Sequence, residues 1–442
     1  MGLQRSAMLL QTLIDDALAE TPPGRAVWVA LSGGLDSSLL LTLAADACRR
    51  HPRPLHALHV HHGLQSAADD FERHCRQLCA QLGVPLSVER ASVAPDGGQG
   101  LEGAAREARY AAFARRVGEG ETLWLAQHRD DQAETFLLAA LRGSGVRGLA
   151  GMPPRRLWQG RELQRPLLGV ARAELEAAAR QLAVSWVEDP SNDDIALDRN
   201  RLRHALMPAL EARWPQAAAS LARSAHLAGE AEALLGELAA LDLATLGGCA
   251  ERLPLAPLVA LSAPRQRLLL RHCCQTLGLP PPPAARLATL LEQLDSRRDA
   301  EVRVAWSGGE ARCWRDALYL LAPSTPLPES WQADWDGRLP LDTPLGRLIC
   351  TLTHERDEEV ALQVSARRGG ERLAQPQRGR RDLKRLLQEA GVPPWRRRRL
   401  LVVWLGEQVV AVLDEMGRAV VPCAPGWSLT LHQPGPAAPG SG

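Results

Sequence analysis

The segment Ser32-Gly33-Gly34-Leu35-Asp36-Ser37 limits what this chain can fold into more than any other feature. It follows the short apolar stretch Ala26–Leu31 and precedes Asp36–Arg50, whose apolar residues have helical spacing. It therefore joins a buried strand to a helix. Two adjacent glycines let the backbone turn sharply and approach a ligand closely, and the free N–H groups at a helix start favour an anion. The pattern predicts a phosphate-binding turn at a strand end.

This turn is predicted to bind ATP. The residues expected to contact the nucleotide are Ser32, Gly33, Gly34, Leu35, Asp36, Ser37 and Ser38. A carboxylate is a poor direct partner for a phosphate, so Asp36 is assigned to a Mg²⁺ ion held by the phosphates, because this ion prefers hard oxygen ligands. The turn lacks the lysine of the GxxxxGK[ST] pattern, which excludes a Walker-type site.

The first 190 residues alternate apolar strands with helical stretches. Strands are predicted over 26–31, 55–61, 84–89 and 122–126, with helices between them. This rhythm indicates a parallel sheet covered on both faces, and ligands of such sheets bind at the carboxyl ends of the strands. A mainly helical region and a third region of short strands with one basic helix follow. The predicted domains are 1–215, 216–325 and 329–433, with a disordered tail over 434–442.

Further motifs fall at these strand ends and on nearby helices. Their sequences are HVHHGL (59–64), AREARY (105–110), QHRDDQAET (127–135), RGSG (142–145), RPLL (165–168), WVEDPSN (186–192) and RNRLR (199–203). With the glycine turn, this set resembles tRNA(Ile)-lysidine synthetase, a family of PP-loop ATP pyrophosphatases. The resemblance implies an α/β fold: a parallel-sheet PP-loop domain related to the adenine nucleotide alpha-hydrolases, a helical middle domain and a small α+β C-terminal domain.

The resemblance also implies a reaction. The family ligates L-lysine to carbon 2 of the wobble cytidine in the isoleucine tRNA with a CAU anticodon, and ATP becomes AMP and pyrophosphate. The lysine amine must lose a proton to attack, because its ordinary pKa is about 10.4, so a carboxylate is expected nearby. The residues expected to be catalytic are Asp36, Asp131, Glu134, Arg106, Arg109 and His128. Helix capping is an alternative role for the acidic cluster of Asp130, Asp131 and Glu134.

Positive charge is concentrated near the C-terminus. Residues 361–400 carry twelve Arg or Lys and three acidic residues, a net charge of +9 in a chain whose total is +1. Such a cluster favours contact with an RNA backbone. The residues expected to bind tRNA are Arg199, Arg201, Arg203, Arg368, Arg372, Arg380, Arg381, Lys384, Arg396, Arg397, Arg398 and Arg399.

Composition sets further limits. Nine cysteines form no CxxC pair, and their number is odd, which argues against a disulfide scaffold and a paired-cysteine metal site. No signal sequence or long apolar run is evident, so the cytoplasm is expected and no membrane partner is. A homodimer is compatible with the sequence. The alternative functions are another PP-loop tRNA-modifying enzyme such as a thiolase, a PP-loop ligase of small molecules, and a non-catalytic ATP-sensing RNA-binding protein.

Overall fold

The computed structural model describes residues 2–61, 68–91, 100–188, 194–296, 302–356, 360–375 and 379–432. Its first sheet has strands with apolar side chains on both faces. On its first strand, Val27 and Val29 belong to one apolar cluster. Ala26 and Trp28, at the intervening positions, belong to another. Because successive strand residues point to opposite faces, both faces of this sheet are buried. The predicted sheet covered on both sides is confirmed.

Within residues 1–238, which form one of two compact units, six strands make a single sheet. The strands are β1 (Val27–Ala30), β2 (Leu55–His61), β3 (Leu86–Arg90), β4 (Thr122–Trp124), β5 (Arg155–Trp158) and β6 (Arg161–Gln164). Their order is β3-β2-β1-β4-β6-β5, and all neighbours are parallel except β5 and β6. The order reverses between β1 and β4. In open parallel sheets that reversal marks the crevice where ligands bind.

The described helices up to residue 245 are α1 (Gly2–Ala19), α2 (Leu35–Arg50), α3 (Ala68–Leu82), α4 (Gly100–Arg116), α5 (Arg129–Leu141), α6 (Val146–Leu149), α7 (Arg172–Gln181), α8 (Asp198–Arg201), α9 (Met207–Arg213) and α10 (Ala217–Thr245). Apolar residues of five of them, α1, α2, α3, α4 and α7, pack against this sheet. A π-helical turn, Leu202–Leu206, separates α8 from α9. The four strands and the main helices agree with the sequence prediction to within about three residues. The β5–β6 hairpin and the π-helical turn were not predicted.

The second unit, residues 239–442, contains two sheet systems. The first has strands β7 (Arg252–Pro254), β8 (Arg303–Trp306), β9 (Gly309–Trp314) and β10 (Ala317–Leu321) in the order β7-β10-β9-β8, with helices α11 (Leu255–Ala260), α12 (Ala263–Thr276) and α13 (Ala284–Ser296). Leucines and cysteines from these helices share an apolar cluster with the sheet. This is the predicted helical region together with its short strands.

The second sheet system lies beyond residue 330. Its strands are β11 (Gln332–Trp335), β12 (Leu341–Thr343), β13 (Gly346–Leu348), β14 (Cys350–His354), β15 (Leu362–Ala366), β16 (Arg372–Gln375), β17 (Gly379–Asp382), β18 (Leu401–Leu405), β19 (Gln408–Leu413) and β20 (Trp427–Leu431), with helices α14 (Leu383–Glu389) and α15 (Pro394–Arg397). The main sheet has the order β11-β15-β18-β19-β16-β17, and β12–β13 and β14–β20 form two-stranded pairs. The predicted mixture of short strands and one basic helix is confirmed.

Some predictions fall outside the described residues. These are His62-Gly63-Leu64, Asp189-Pro190-Ser191-Asn192, Arg378 and the tail over 434–442. Of the described helices, none is long and apolar enough to cross a membrane.

Burial predicts how far single core residues stabilise the first unit. Leu39 on α2 is fully buried, whereas Leu157 on β5 is 80% exposed. We expect Leu39→Ala to lower the free energy of unfolding by about 2–5 kcal/mol, since it removes packed methyl groups and leaves a cavity. Leu157→Ala, the matched control, should change it by less than about 0.5 kcal/mol. Urea unfolding of the full chain measures both; similar losses would contradict this assignment of the core.

Candidate active site

The turn between β1 and α2 is held by serine hydroxyls. The Ser32 N–H donates to Ser37 Oγ (3.1 Å), and the two hydroxyls lie 2.9 Å apart. Ser37 Oγ in turn donates to the Gly34 carbonyl (3.1 Å). These bonds fix the turn locally. No described side chain caps α2 at Gly34, so the N–H groups of its first turn suit an anion.

Gly33 is the residue of this turn that no other amino acid can replace without strain. Its φ is +94°, and a Cβ there would lie 3.0 Å from Phe71 Cδ1 and 3.3 Å from Cys75 Sγ on α3. Any side chain would combine a strained backbone with a steric clash. Its carbonyl also accepts a hydrogen bond from the Val187 N–H (3.0 Å). The predicted glycine turn is therefore packed from two sides.

Asp36, on the first turn of α2, has one oxygen in an ion pair and one without a partner. Arg172 Nη1 lies 3.1 Å from its Oδ2. Its Oδ1 is buried and has no hydrogen-bond partner among the described residues. Burial raises the pKa of the Asp36 carboxyl, against the lowering effects of His128 and Arg172. A buried, unpartnered carboxylate oxygen beside a phosphate-binding turn fits a Mg²⁺ ligand. No group of three or more potential metal ligands occurs in the part of the chain described.

His128 caps α5, which follows β4. The Asp131 N–H donates to His128 Nδ1 (3.4 Å), and the His128 N–H donates to Asp131 Oδ2 (3.0 Å). Because Nδ1 accepts this hydrogen bond, Nε2 is the ring nitrogen available as a donor. That nitrogen lies 3.4 Å from Asp131 Oδ2 and 3.8 Å from Asp36 Oδ2. His128, which follows β4, therefore lies close to Asp36, which follows β1.

Two of the acidic residues also have structural roles. Asp131 completes the cap of α5, and Asp130 Oδ2 accepts a hydrogen bond from the Arg172 N–H (3.0 Å). The alternative role suggested by the sequence, helix capping, is thus realised at Asp131. Glu134 differs, because its only described partners are arginine side chains.

Glu134 is 2% exposed, and two guanidinium groups bind it. Arg199 Nε donates to Glu134 Oε2 (2.9 Å), and Arg203 Nε donates to Oε1 (2.7 Å). Arg203 Nη2 also donates to Asp131 Oδ1 (3.0 Å). Two positive charges thus balance the two carboxylates, and burial of either charge alone would be unfavourable.

The helix that carries these arginines widens into the π-helical turn Leu202–Leu206. Arg199 and Arg203 lie on opposite sides of its first residue and both reach Glu134. After the turn, Met207 packs with Ala133 and Ala218. Such wide turns are rare and are often found at functional sites.

Comparison with known proteins assigns the chain to a family. Residues 6–210 match a model described as a PP-loop domain. Residues 253–319 match the TilS substrate binding domain, and residues 362–424 match the TilS substrate C-terminal domain.

Three relatives named tRNA(Ile)-lysidine synthase extend over almost the whole chain. The protein of Xanthomonas axonopodis pv. citri is 47% identical over 90% of this chain and 91% of its own length. Those of Alkalilimnicola ehrlichii and Pseudomonas aeruginosa are 45% and 44% identical, over 95% and 97% of this chain and 96% and 98% of their own lengths. The chain belongs to the tRNA(Ile)-lysidine synthase family. The resemblance predicted from the motifs is confirmed.

The remaining residues of the site predicted for a tRNA(Ile)-lysidine synthase, Arg106 and Arg109, are exposed on α4. The Arg106 guanidinium lies over the Tyr110 ring, 5.1 Å from its centroid. Their catalytic role stays a prediction.

The residues predicted to bind tRNA differ in surroundings. Arg201 is exposed and donates to the Ile195 carbonyl (3.3 Å), unlike its neighbours Arg199 and Arg203. Lys384, Arg372 and Arg380 are exposed. Arg381 Nη2 lies 3.4 Å from Glu389 Oε1.

Two arginines of the run Arg396–Arg399 form ion pairs with acidic residues of the same unit. Arg396 pairs with Glu251, and Arg399 Nη2 lies 2.6 Å from Glu415 Oε2. The preceding Trp395 contacts Tyr319 edge to face, with ring centroids 5.3 Å apart. Part of the positive charge counted in the sequence is therefore neutralised within the second unit.

Arg172 binds the carboxylate of Asp36 with its side chain and that of Asp130 with its backbone, and this role was not predicted from the sequence. It is 136 residues from Asp36, and nothing in its local sequence distinguishes it from other arginines at helix starts.

The raised pKa of Asp36 predicts a pH-dependent effect on stability. A raised folded-state pKa means that the folded protein favours the neutral carboxyl, so ionised Asp36 lowers stability as the pH rises through that pKa. We expect Asp36→Asn, without Mg²⁺ or ATP, to melt at a higher temperature than the natural protein at pH 7. The difference should shrink as the pH falls toward about 4, the ordinary range of an Asp pKa.

Asp16→Asn is the matched control, since Asp16 is exposed on α1. It should leave the melting temperature unchanged. An Asp36→Asn protein no more stable than this control at pH 7 would show that Asp36 is not destabilised by burial.

Proposed function

We propose that this protein ligates L-lysine to carbon 2 of the wobble cytidine of the CAU-anticodon isoleucine tRNA. The reaction would pass through an adenylated cytidine and yield lysidine, AMP and pyrophosphate. The main support is the convergence of two groups at the β1/β4 reversal of the sheet: the glycine turn with the free N–H groups of the α2 start, and the carboxylates of the buried Glu134 and the partly buried Asp131. Membership of the tRNA(Ile)-lysidine synthase family supports the same reaction.

ATP is proposed to bind at the turn over 32–38, with its phosphates against the backbone N–H groups of the α2 start. Asp36 would hold Mg²⁺ through Oδ1, which is buried and has no described partner. When bound, this ion would neutralise phosphate charge. Arg172 would keep the Asp36 side chain in place, since it already binds Oδ2.

Adenylation solves a leaving-group problem. The cytidine O2 would attack the α-phosphorus of ATP, and pyrophosphate would leave. The lysine ε-nitrogen would then attack carbon 2, and O2 would leave as part of AMP. Arg106 and Arg109 are proposed to stabilise negative charge in this sequence. His128, whose Nε2 lies near Asp36 and Asp131, would orient these carboxylates or contact the nucleotide.

Glu134 and Asp131 are proposed to bind the lysine ε-ammonium and to accept its proton. In the free protein, Arg199 and Arg203 already bind these carboxylates. The incoming ammonium would therefore replace a guanidinium group, which keeps the buried charges balanced. The released arginine would be free to bind a tRNA phosphate, which combines its present contact with its predicted role.

Other proposals concern partners and organisation. Contact with tRNA is assigned to Arg201 and to the exposed arginines and Lys384 of the C-terminal region. The domains 1–215, 216–325 and 329–433, a homodimer and a cytoplasmic location remain predictions.

The alternative functions have less support. A thiolase using paired cysteines is disfavoured because all nine cysteines are unpaired thiols and no CxxC pair occurs. A non-catalytic ATP sensor would not need the buried Glu134 beside Asp131 with two compensating arginines, and burial of such charge is unfavourable.

The deciding assay is tRNA-dependent incorporation of labelled lysine, with AMP and pyrophosphate measured in parallel. We expect one lysine, one AMP and one pyrophosphate per modified tRNA. Release of ADP and phosphate, transfer of sulfur, or ATP binding without turnover would reject the proposed reaction.

A second assay tests the lysine site. Glu134→Gln keeps the size of the side chain but removes one negative charge, so we expect the KM for lysine to rise at least about tenfold, the usual range for a lost buried charge contact. Glu211→Gln, an exposed substitution on α9, is the control and should leave this KM unchanged. An equal KM in both variants would remove Glu134 from the lysine site.

A further inference from the structure

A cavity of about 710 Å³ lies in the C-terminal sheet system. Its lining combines aromatic rings and arginines (Trp404, Trp427, His354, Arg368, Arg372 and Arg380), and it also includes Glu371 and Glu407, so the arginines leave a net positive charge of one. We propose that this cavity, called here the Trp404 pocket, binds one unpaired nucleotide of the tRNA, with its base against the rings and its phosphate against the arginines. The identity of the RNA rests on the proposed function, but none of the residues that line the pocket belongs to the candidate active site.

The aromatic side of the Trp404 pocket is fixed by the backbone. The register of β18 and β19 shifts between Val403 and Trp404, which marks a β-bulge or similar irregularity. Bulges redirect side chains and are common beside functional sites. The Trp404 indole N–H donates to Ser365 Oγ (3.0 Å), so the ring is held in one orientation.

A second aromatic pair lies on β14 and β20. The rings of His354 and Trp427 have centroids 5.1 Å apart. Gly426 has a φ of +83°, and a Cβ there would lie 2.9 Å from His354 Nε2. The pair therefore depends on a glycine at this position, and it presents half-buried rings to the pocket.

The charged side is formed around the loop before β16. Gly369 and Gly370 have φ values of +97° and +83°. The buried Glu371 accepts hydrogen bonds from the N–H groups of Arg368 (2.5 Å) and Gly369 (2.6 Å). The Glu371 side chain thus fixes the backbone of this loop through hydrogen bonds. Arg368 and Arg372, before and after the two glycines, are exposed.

These features together suit a nucleotide better than a smaller anion. A lone phosphate would not need the indoles, and an apolar ligand would not need three arginines. The volume falls within the usual range for a site that encloses a small molecule. Proteins recognise unpaired RNA bases by stacking them on aromatic rings or guanidinium planes, and stacking tolerates any base.

Ultraviolet crosslinking of the full-length protein to the isoleucine tRNA tests the location. We expect mass spectrometry to find a nucleotide attached to the peptide that contains Trp404 or Trp427, and sequencing of the RNA to place it at an unpaired position. Crosslinks in the C-terminal region that avoid both tryptophans, or that map to paired nucleotides, would overturn the proposal.

Two variants test the contribution of the Trp404 pocket to affinity. Trp427→Leu should weaken tRNA binding about tenfold through the loss of one stacked base. Arg380→Gln should weaken it less and reduce the slope of log affinity against log salt by about 0.7, as expected for one lost phosphate contact on a single strand. Arg347→Gln, on the β12–β13 hairpin and outside the lining, is the control and should bind as the natural protein does.

Circular dichroism and melting curves establish whether Trp427→Leu folds; if it does not, Arg380→Gln and the crosslinks decide. Affinity and salt slope of Arg380→Gln equal to those of Arg347→Gln would overturn the pocket. The lysine-incorporation assay on the natural protein separates the two proposals: lysidine formation with no effect of the pocket variants rejects only the pocket. If no lysidine forms but the pocket variants weaken tRNA binding, only the proposed reaction is rejected.

Discussion

The left-handed backbone at Gly33, packed against Phe71 and Cys75 of α3, is the constraint on which the catalytic unit depends. It allows β1 to end and α2 to begin within a few residues, so the N–H groups of the helix start lie at the sheet edge. The hydrogen bond between the Gly33 carbonyl and the Val187 N–H ties a distant segment to the same turn. Burial raises the pKa of Cys75 to about 12, so this thiol acts in packing and not as a nucleophile.

Charge compensation is the second organising feature. Glu134 is almost fully buried, yet Arg199 and Arg203 supply it with partners. Asp36 is compensated only in part, because Arg172 binds one oxygen and the other has no described partner. The difference suits the roles proposed for them: a site already filled by exchangeable cations, and a ligand kept ready for a metal ion. Both arise where the strand order reverses, which is a property of the topology.

Much of this architecture could be predicted from the sequence because local patterns encode it. The strand–glycine–helix sequence around Gly33 predicts its own turn, and short apolar stretches revealed β1, β2 and β4. The β5–β6 hairpin was missed because its short strands carry charged residues, such as Arg155 and Glu162, and lack clear alternation.

Contacts between distant parts of the chain could not be predicted from local patterns. Arg199 and Arg203 were expected to face RNA, since a motif such as RNRLR shows its charge but not its partners. Their pairing with Glu134 spans 65 and 69 residues. Arg172 was overlooked for the same reason. The charge count near the C-terminus likewise overestimated free positive charge, because Glu251 and Glu415 already bind two of those arginines.

The wide turn at Leu202–Leu206 has a consequence for how the catalytic unit tolerates change in length. An ordinary α-helix advances about 100° per residue, since it has 3.6 residues per turn. One extra residue in a regular helix would therefore rotate everything downstream by that angle, whereas a wide turn accommodates the extra residue locally. Met207 can thus pack with Ala133 although Arg199 and Arg203 bind Glu134. Deleting one residue from this turn should restore regular winding and keep Met207 in place, so this segment should tolerate such a deletion better than a regular helix would.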